Sequence, residues 1–358
     1  MSSNDRLSRS LNAAFVGVES HFVYTKSSLF FIDALRESLG ALEVFASNWR
    51  WIHLPRKRHW DLLVFWQHFP QRWELDCLDV DSVVLVPMLD DCPKQEEFWK
   101  DYKDCKILCF SRSLADLLGG FGLRVILAQY YPPVPPNGVD WGSPGLRAFF
   151  WPRKKEVNWS HLRPLLEGTE WSSIHIHRTD NLSEVPLDLT EEEARRLPLA
   201  TSSWLDSPQH YGDILRQHNV FFAPRRYEGI GLSFLEAMGL GMAVVSPDNP
   251  TMNEYIRTGE NGYLYDPESP VPPRWADARN WGEAARRQCI IGREEWLRAV
   301  PSMIDFFLEP GPTRGQPLHD SRRTRSIMKA WPGYLRYRLI RLLIAARNLL
   351  RRQSRSHV

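Results

Sequence analysis

The stretch Ala223-Pro-Arg-Arg-Tyr-Glu-Gly-Ile-Gly-Leu-Ser-Phe-Leu-Glu-Ala-Met-Gly-Leu-Gly-Met-Ala-Val-Val-Ser246 decides the fold. The apolar run before it, from Val220, predicts a strand that stops at Pro224, because proline cannot donate to a ladder. A loop with Gly229 and Gly231 follows, where missing side chains let backbone N–H groups come close to a ligand. A helix is predicted to start near Ser233, and Ala243–Ser246 returns as a strand. The loop N–H groups and the positive end of that helix form an anion site suited to a diphosphate. Glu228 lies in the loop and Glu236 in the first helical turn. Helical side chains tilt towards the N-terminus, so Glu236 points back at the same cleft. A diphosphate would repel it; sugar hydroxyls farther along a ligand would not. A second reading stays open. Ser233-Phe-Leu-Glu236 also has the form of a capping box, and the two glycines can simply make a turn.

The alternation of strand and helix extends in both directions. Apolar runs predict strands at Asn12–Val18, Leu42–Ala46, Leu62–Trp66, Ser82–Pro87, Lys106–Phe110 and Arg124–Gln129. Between them, Ser28–Leu39 and Ser113–Leu118 have helical spacing, and Glu19-Ser20-His21 reads as a polar turn. The segment Tyr131-Pro-Pro-Val-Pro-Pro-Asn-Gly138 can continue neither element and reads as a linker. Strands then restart at Leu146–Trp151 and Ser173–His177, with helices at Trp159–Leu166 and Tyr211–Gln217 and a long one over Trp281–Phe307. The fold class is α/β: two doubly wound, Rossmann-like halves. A ligand is expected between them, at the carboxyl ends of the strands.

The 358 residues exceed what one core usually fills, which also favours two domains. A composition 43% hydrophobic and 25% charged excludes a largely disordered chain. The net charge of +2 argues against a nucleic-acid partner, but it conceals a division. From Asp320 to Val358 there are 11 Lys and Arg against one Asp, whereas the preceding 319 residues carry a net −8. The odd number of cysteines, five, with no Cys-x-x-Cys pair, reads as thiols in a reducing compartment rather than a metal site. The first apolar run, Ala13–Val18, is too short for a leader or a membrane span, so a cytoplasmic protein is expected.

The signature segment resembles that of retaining family 4 (group 1) glycosyltransferases, whose fold is GT-B. In that family two glutamates with seven residues between them frame an EGFGL-type loop; here they are Glu228 and Glu236. The likeness continues through Gly241-Met-Ala-Val-Val245 and Glu254-Tyr-Ile-Arg-Thr-Gly-Glu-Asn-Gly262, and is dense over 220–267. It implies an acceptor domain over 1–132, a linker over 133–145, a nucleotide-sugar domain over 146–310 and a basic tail over 311–358. It implies that Glu236 holds the ribose hydroxyls and Glu228 the donor sugar. Gly229, Ile230, Gly231 and Leu232 would line sugar and phosphates with their N–H groups. Arg153, at the start of the second domain, matches a family arginine that neutralises the diphosphate. The family's Lys five residues on is Asn158 here, so Lys154 or Lys155 must replace it. A family Gly-Gly pair is replaced by Pro250-Thr251. On the acceptor side the resemblance points to the loop at Gly17, and to His68 or Asp90 beside the reacting sugar.

The implied reaction moves a sugar from a UDP- or GDP-linked donor to an acceptor hydroxyl on a glycan or lipid-linked acceptor, with no cofactor and no metal. The setting would be polysaccharide or glycolipid synthesis. Over 334–352, Leu335, Leu339, Leu342, Leu343, Ala346, Leu349 and Leu350 fall at helical spacing among arginines. That pattern predicts a basic amphipathic helix, which can dock on an anionic membrane at its inner face or fold back on the first domain. Two other functions fit the same resemblance: a nucleotide-sugar epimerase of this fold, and a non-catalytic glycosyltransferase-like binding partner.

Overall fold

Among the described residues, twelve parallel strands form two sheets of six. The computed structural model describes residues 11–23, 25–47, 54–55, 58–178, 187–202 and 208–309. The first sheet holds β1 (Ala13–Val18), β2 (Glu43–Ser47), β3 (His59–Trp66), β4 (Asp79–Val86), β5 (Lys106–Cys109) and β6 (Arg124–Leu127), in the order β2-β1-β3-β4-β5-β6. The second holds β7 (Leu146–Phe150), β8 (Trp171–His177), β9 (Leu199–Ser202), β10 (Val220–Phe222), β11 (Ala243–Pro247) and β12 (Tyr263–Tyr265), in the order β12-β11-β10-β7-β8-β9. In each sheet the chain starts inside, winds outward on one side, then returns to wind outward on the other. The switch points, β1/β3 and β7/β10, are where such sheets leave a crevice at their carboxyl ends. Buried on both faces, the central strands read as unbroken apolar runs: all six residues of β1 are buried.

The helices are α1 (Glu19–Val23), α2 (Leu29–Leu39), α3 (Arg72–Asp76), α4 (Glu96–Trp99), α5 (Arg112–Gly120), α6 (Trp159–Leu165), α7 (Glu191–Arg196), α8 (Pro208–Arg216), α9 (Leu232–Gly239) and α10 (Ala278–Leu308). The polar turn expected at Glu19-Ser20-His21 is the start of α1. Edge strands β9 and β12 carry only four and three residues, too few for a periodic signal, and were not foreseen.

One helix joins the two sheets. The first turns of α10 bury Ala278, Trp281, Ala285 and Cys289 on the second domain. Arg286 then donates to the carbonyls of Pro135 at 2.6 Å and Pro136 at 3.0 Å, fixing the proline-rich connection. Farther on, the Trp296 ring lies 5.1 Å from Tyr130, 6.1 Å from Phe110 and 6.2 Å from Phe30, and Phe307 lies 6.3 Å from Phe31. All four of those partners belong to the first domain. The last carbonyls of α10 have no helical donors. Ser82 Oγ donates to the Phe307 carbonyl at 2.6 Å, and Lys106 Nζ donates to the same carbonyl at 2.7 Å and to that of Glu309. Burial lowers the Lys106 pKa to about 8.

Among the described residues no helix is long and apolar enough to cross a membrane. The basic stretch 334–352 lies outside them. Removing the Trp296 ring, which is buried, leaves a cavity between the domains. Trp296→Ala should cost about 3–5 kcal/mol in denaturant unfolding. The neighbouring Leu297, 52% exposed, is the control: Leu297→Ala should stay within about 0.5 kcal/mol of the parent.

Candidate active site

The carboxyl ends of both switch points face one cleft of about 640 Å³. The signature loop forms its second-domain wall. After β10 the chain runs from Ala223 to Gly231, which takes φ 80° and ψ 46° as the residue before α9. A side chain there would be strained, and its Cβ would lie 1.9 Å from Phe234 Cε1. Gly229 is glycine for another reason: a Cβ would come within 2.7 Å of Met88 Cβ and 2.9 Å of Asp90 Oδ1, both in the first domain. Thr251 Oγ1 donates to the Glu228 carbonyl at 2.6 Å and braces the loop from below. That is the role taken here by the Pro250-Thr251 pair.

The capping-box reading does not hold. Gly231, not a hydroxyl residue, precedes α9, and no side chain caps it. Ser233 and Glu236 both line the cleft instead. Glu236 is open to the cleft but walled by protein, and burial pushes its carboxyl up to about 7. Burial also pushes Glu228 up to about 7, with the Asp90 charge adding to the rise and Arg225 and Arg153 opposing it. Arg225 Nη1 sits 2.7 Å from Asp90 Oδ2 and 3.7 Å from Glu228 Oε2, linking carboxylates of the two domains. Asp90 itself is raised by burial and held back by Arg225. Arg153 stands 4.5 Å over the Trp151 ring, at the end of β7.

Of the residues singled out in the sequence, Glu228, Glu236, Gly229, Ile230, Gly231, Leu232, Arg153 and Asp90 all line this cleft. Three do not. His68 is buried aside from it, with Nδ1 3.4 Å from Ser47 Oγ and its pKa pushed down to about 4 by burial. Gly17 packs inside β1, where a Cβ would meet Phe22 Cζ at 2.9 Å. Lys154, not Lys155, reaches the cleft. Asn158, where a cation was expected, caps α6 by accepting from Trp159 N at 2.8 Å.

Sequence reasoning missed His21, Arg225, Tyr211 and Trp151, all in the lining. For Arg225 the signal was its place three residues before Glu228; its partner Asp90, far away in the chain, could not be read. Glu254 has a structural task. It accepts from Ser111 Oγ at 2.7 Å, Arg112 N at 2.6 Å and Ser113 N at 2.9 Å, capping α5 of the first domain from the second.

Residues 205–271, which span this loop and α9, match the family model described as Glycosyl transferases group 1. No curated protein sequence matches the chain. Several solved structures share its architecture. Sucrose-phosphate synthase from Thermosynechococcus elongatus superposes with a TM-score of 0.60 at 11% identity, over 82% of this chain and 98% of that one. A glycosyltransferase from Rickettsia africae gives 0.56 at 10% identity, over 83% and 99%. HepE of Anabaena, solved with UDP and glucose, gives 0.54 at 10% identity, over 82% and 100%. The fold is GT-B, two Rossmann-like domains facing a cleft. Within it, residues 205–271 are similar to the glycosyltransferase group 1 family.

The raised carboxyls fix a pH trend. Their folded pKa values, about 7, lie above the ordinary 4.5, so the fold holds their protons more tightly than the unfolded chain does. Their contribution to stability is complete in acid and is lost as pH rises through about 7. Between about pH 5 and about pH 8 the Tm of the parent should therefore fall relative to Glu236→Gln and Glu228→Gln, as read by thermal unfolding.

Proposed function

We propose that the chain transfers a glycosyl group from a nucleotide-sugar donor to an acceptor hydroxyl, with retention at the anomeric carbon. One observation carries this reading. Glu228 and Glu236 stand in the same cleft as Arg153, Lys154 and Arg225, at the free N-terminus of α9. That is a cationic, N–H-rich place for a diphosphate, next to two carboxyls able to accept from hydroxyls. The UDP and glucose in the HepE structure support a nucleotide sugar as the ligand.

In this reading the N–H groups at the start of α9, with Arg153 and Lys154, hold the diphosphate. Glu236 accepts from the ribose hydroxyls, and Glu228 from the donor sugar. The bond from the anomeric carbon to the phosphate oxygen breaks, and its electron pair stays on the diphosphate. The cations stabilise that developing charge. The acceptor oxygen bonds to the same face of the carbon, and its proton passes to the leaving phosphate. No protein nucleophile, metal or cofactor takes part. Asp90, across the cleft and tied to Arg225, stands on the acceptor side. A cytoplasmic enzyme of polysaccharide or glycolipid synthesis, reaching a membrane-held acceptor through its basic tail, fits this chemistry.

A thermal-shift screen of UDP-, GDP- and ADP-sugars should find a donor that raises the Tm, because a bound ligand stabilises the fold by mass action. By calorimetry Glu236→Ala should weaken that donor at least about tenfold, the worth of hydrogen bonds to a charged group. Unaltered binding would remove Glu236 from the site, and a screen with no shift would remove the nucleotide-sugar reading.

A further inference from the structure

The two walls of the cleft differ in charge. Its second-domain wall presents Arg153, Lys154, Arg225 and Arg226 beside Glu156, Glu228 and Glu236. Among the described lining residues, the first-domain wall presents no Lys or Arg. It presents Ser20, His21, Thr25, Ser27, Asp90 and Asp91. Asp90 is already matched with Arg225, whereas Asp91 forms no ion pair among the described residues. His21 is held by its Nδ1, 3.2 Å from Ser27 Oγ. Its Nε2 is buried with no hydrogen-bond partner among the described residues. Burial lowers its pKa against the pull of Asp91 and Asp90, so the ring is a neutral hydrogen-bonding group rather than a cation.

We propose that this wall is an acceptor subsite for an uncharged or amine-bearing sugar, and that it rejects phosphorylated or carboxylated acceptors. Three hydroxyls and an oriented imidazole offer both donors and acceptors to a polyol, whose hydroxyls are likewise both. The carboxylates accept from hydroxyls and attract an ammonium. A phosphate or carboxylate on the acceptor would face the Asp91 carboxylate, which no cation among the described residues pairs, and Asp90, whose partner Arg225 is shared with Glu228. The cations opposite are occupied: Arg225 by Asp90, Arg226 by Glu268, and Arg153 and Lys154 by the donor diphosphate in the proposed reading. Such opposition selects by repulsion as much as by attraction.

The proposal rests on the transferase reading, because the charge preference is expressed once the donor diphosphate occupies Arg153 and Lys154. The test is saturation-transfer NMR on the full chain, with and without UDP, using methyl glucoside, glucosamine and glucose 6-phosphate as probes. The first two should bind roughly tenfold more tightly than the third. In Asp90→Asn/Asp91→Asn that ratio should shrink to about twofold. Should the double variant fail to fold, Asp91→Asn alone, at a carboxylate with no ion-pair partner, should move the ratio the same way. His21→Ala should weaken all three probes alike. Equal binding of glucose 6-phosphate, an unmoved ratio in the variants, or no saturation of any sugar overturns the proposal. Failure of UDP to bind overturns the donor reading and this proposal with it; UDP that binds while the three probes bind equally overturns the charge preference alone.

Discussion

A buried ammonium underlies the arrangement of this molecule. Lys106 lies at the start of β5 in the first domain, yet it ends α10, a helix that begins on the second. Helix termini leave carbonyls without donors, and burying them unpaired would be costly. Lys106 and Ser82 supply those donors, and Trp296 and Phe307 fill the space beside them with aromatic packing. Both sheets therefore share one apolar cluster, and the switch points of the two doubly wound folds face each other across a cleft.

The chemistry of that cleft follows from how the chain leaves the sheet. The chain enters α9 through a left-handed residue, and Gly231 takes that conformation without a side chain to strain it. The turn leaves the first N–H groups of α9 without side-chain caps and sets Glu236 at their side. Enclosure then raises both glutamates, so that they carry protons near neutral pH unless a cation or a ligand hydroxyl compensates. Arg225 is such a cation for Glu228, and its second partner belongs to the other domain.

The signature loop was readable because its information is local: glycines, a strand end and a helix start lie within one short stretch. The same holds for the central strands, whose apolar runs reflect burial on both faces. What could not be read depends on contacts between distant segments. His68 looked apt as a residue near a strand end, but its ring turns into a buried place beside Ser47. His21, which does face the cleft, sits in a stretch that read as a plain polar turn. Ser233 and Glu236 satisfied the pattern of a helix cap equally well, and only the backbone of Gly231 decides between the readings. Asn158, directly before the predicted helix at Trp159, is of a type that favours a cap, and it takes that place.

The contacts that cross between domains are unequal. Glu254 receives three hydrogen bonds from the start of α5, while the cleft lining is spanned by the Asp90–Arg225 pair, whose side chains are 21% and 22% exposed. Salt weakens such a part-exposed pair more readily than it weakens a carboxylate seated on backbone N–H groups. Raised ionic strength should therefore loosen the Asp90–Arg225 tie across the cleft before it loosens the seat of Glu254 on the start of α5.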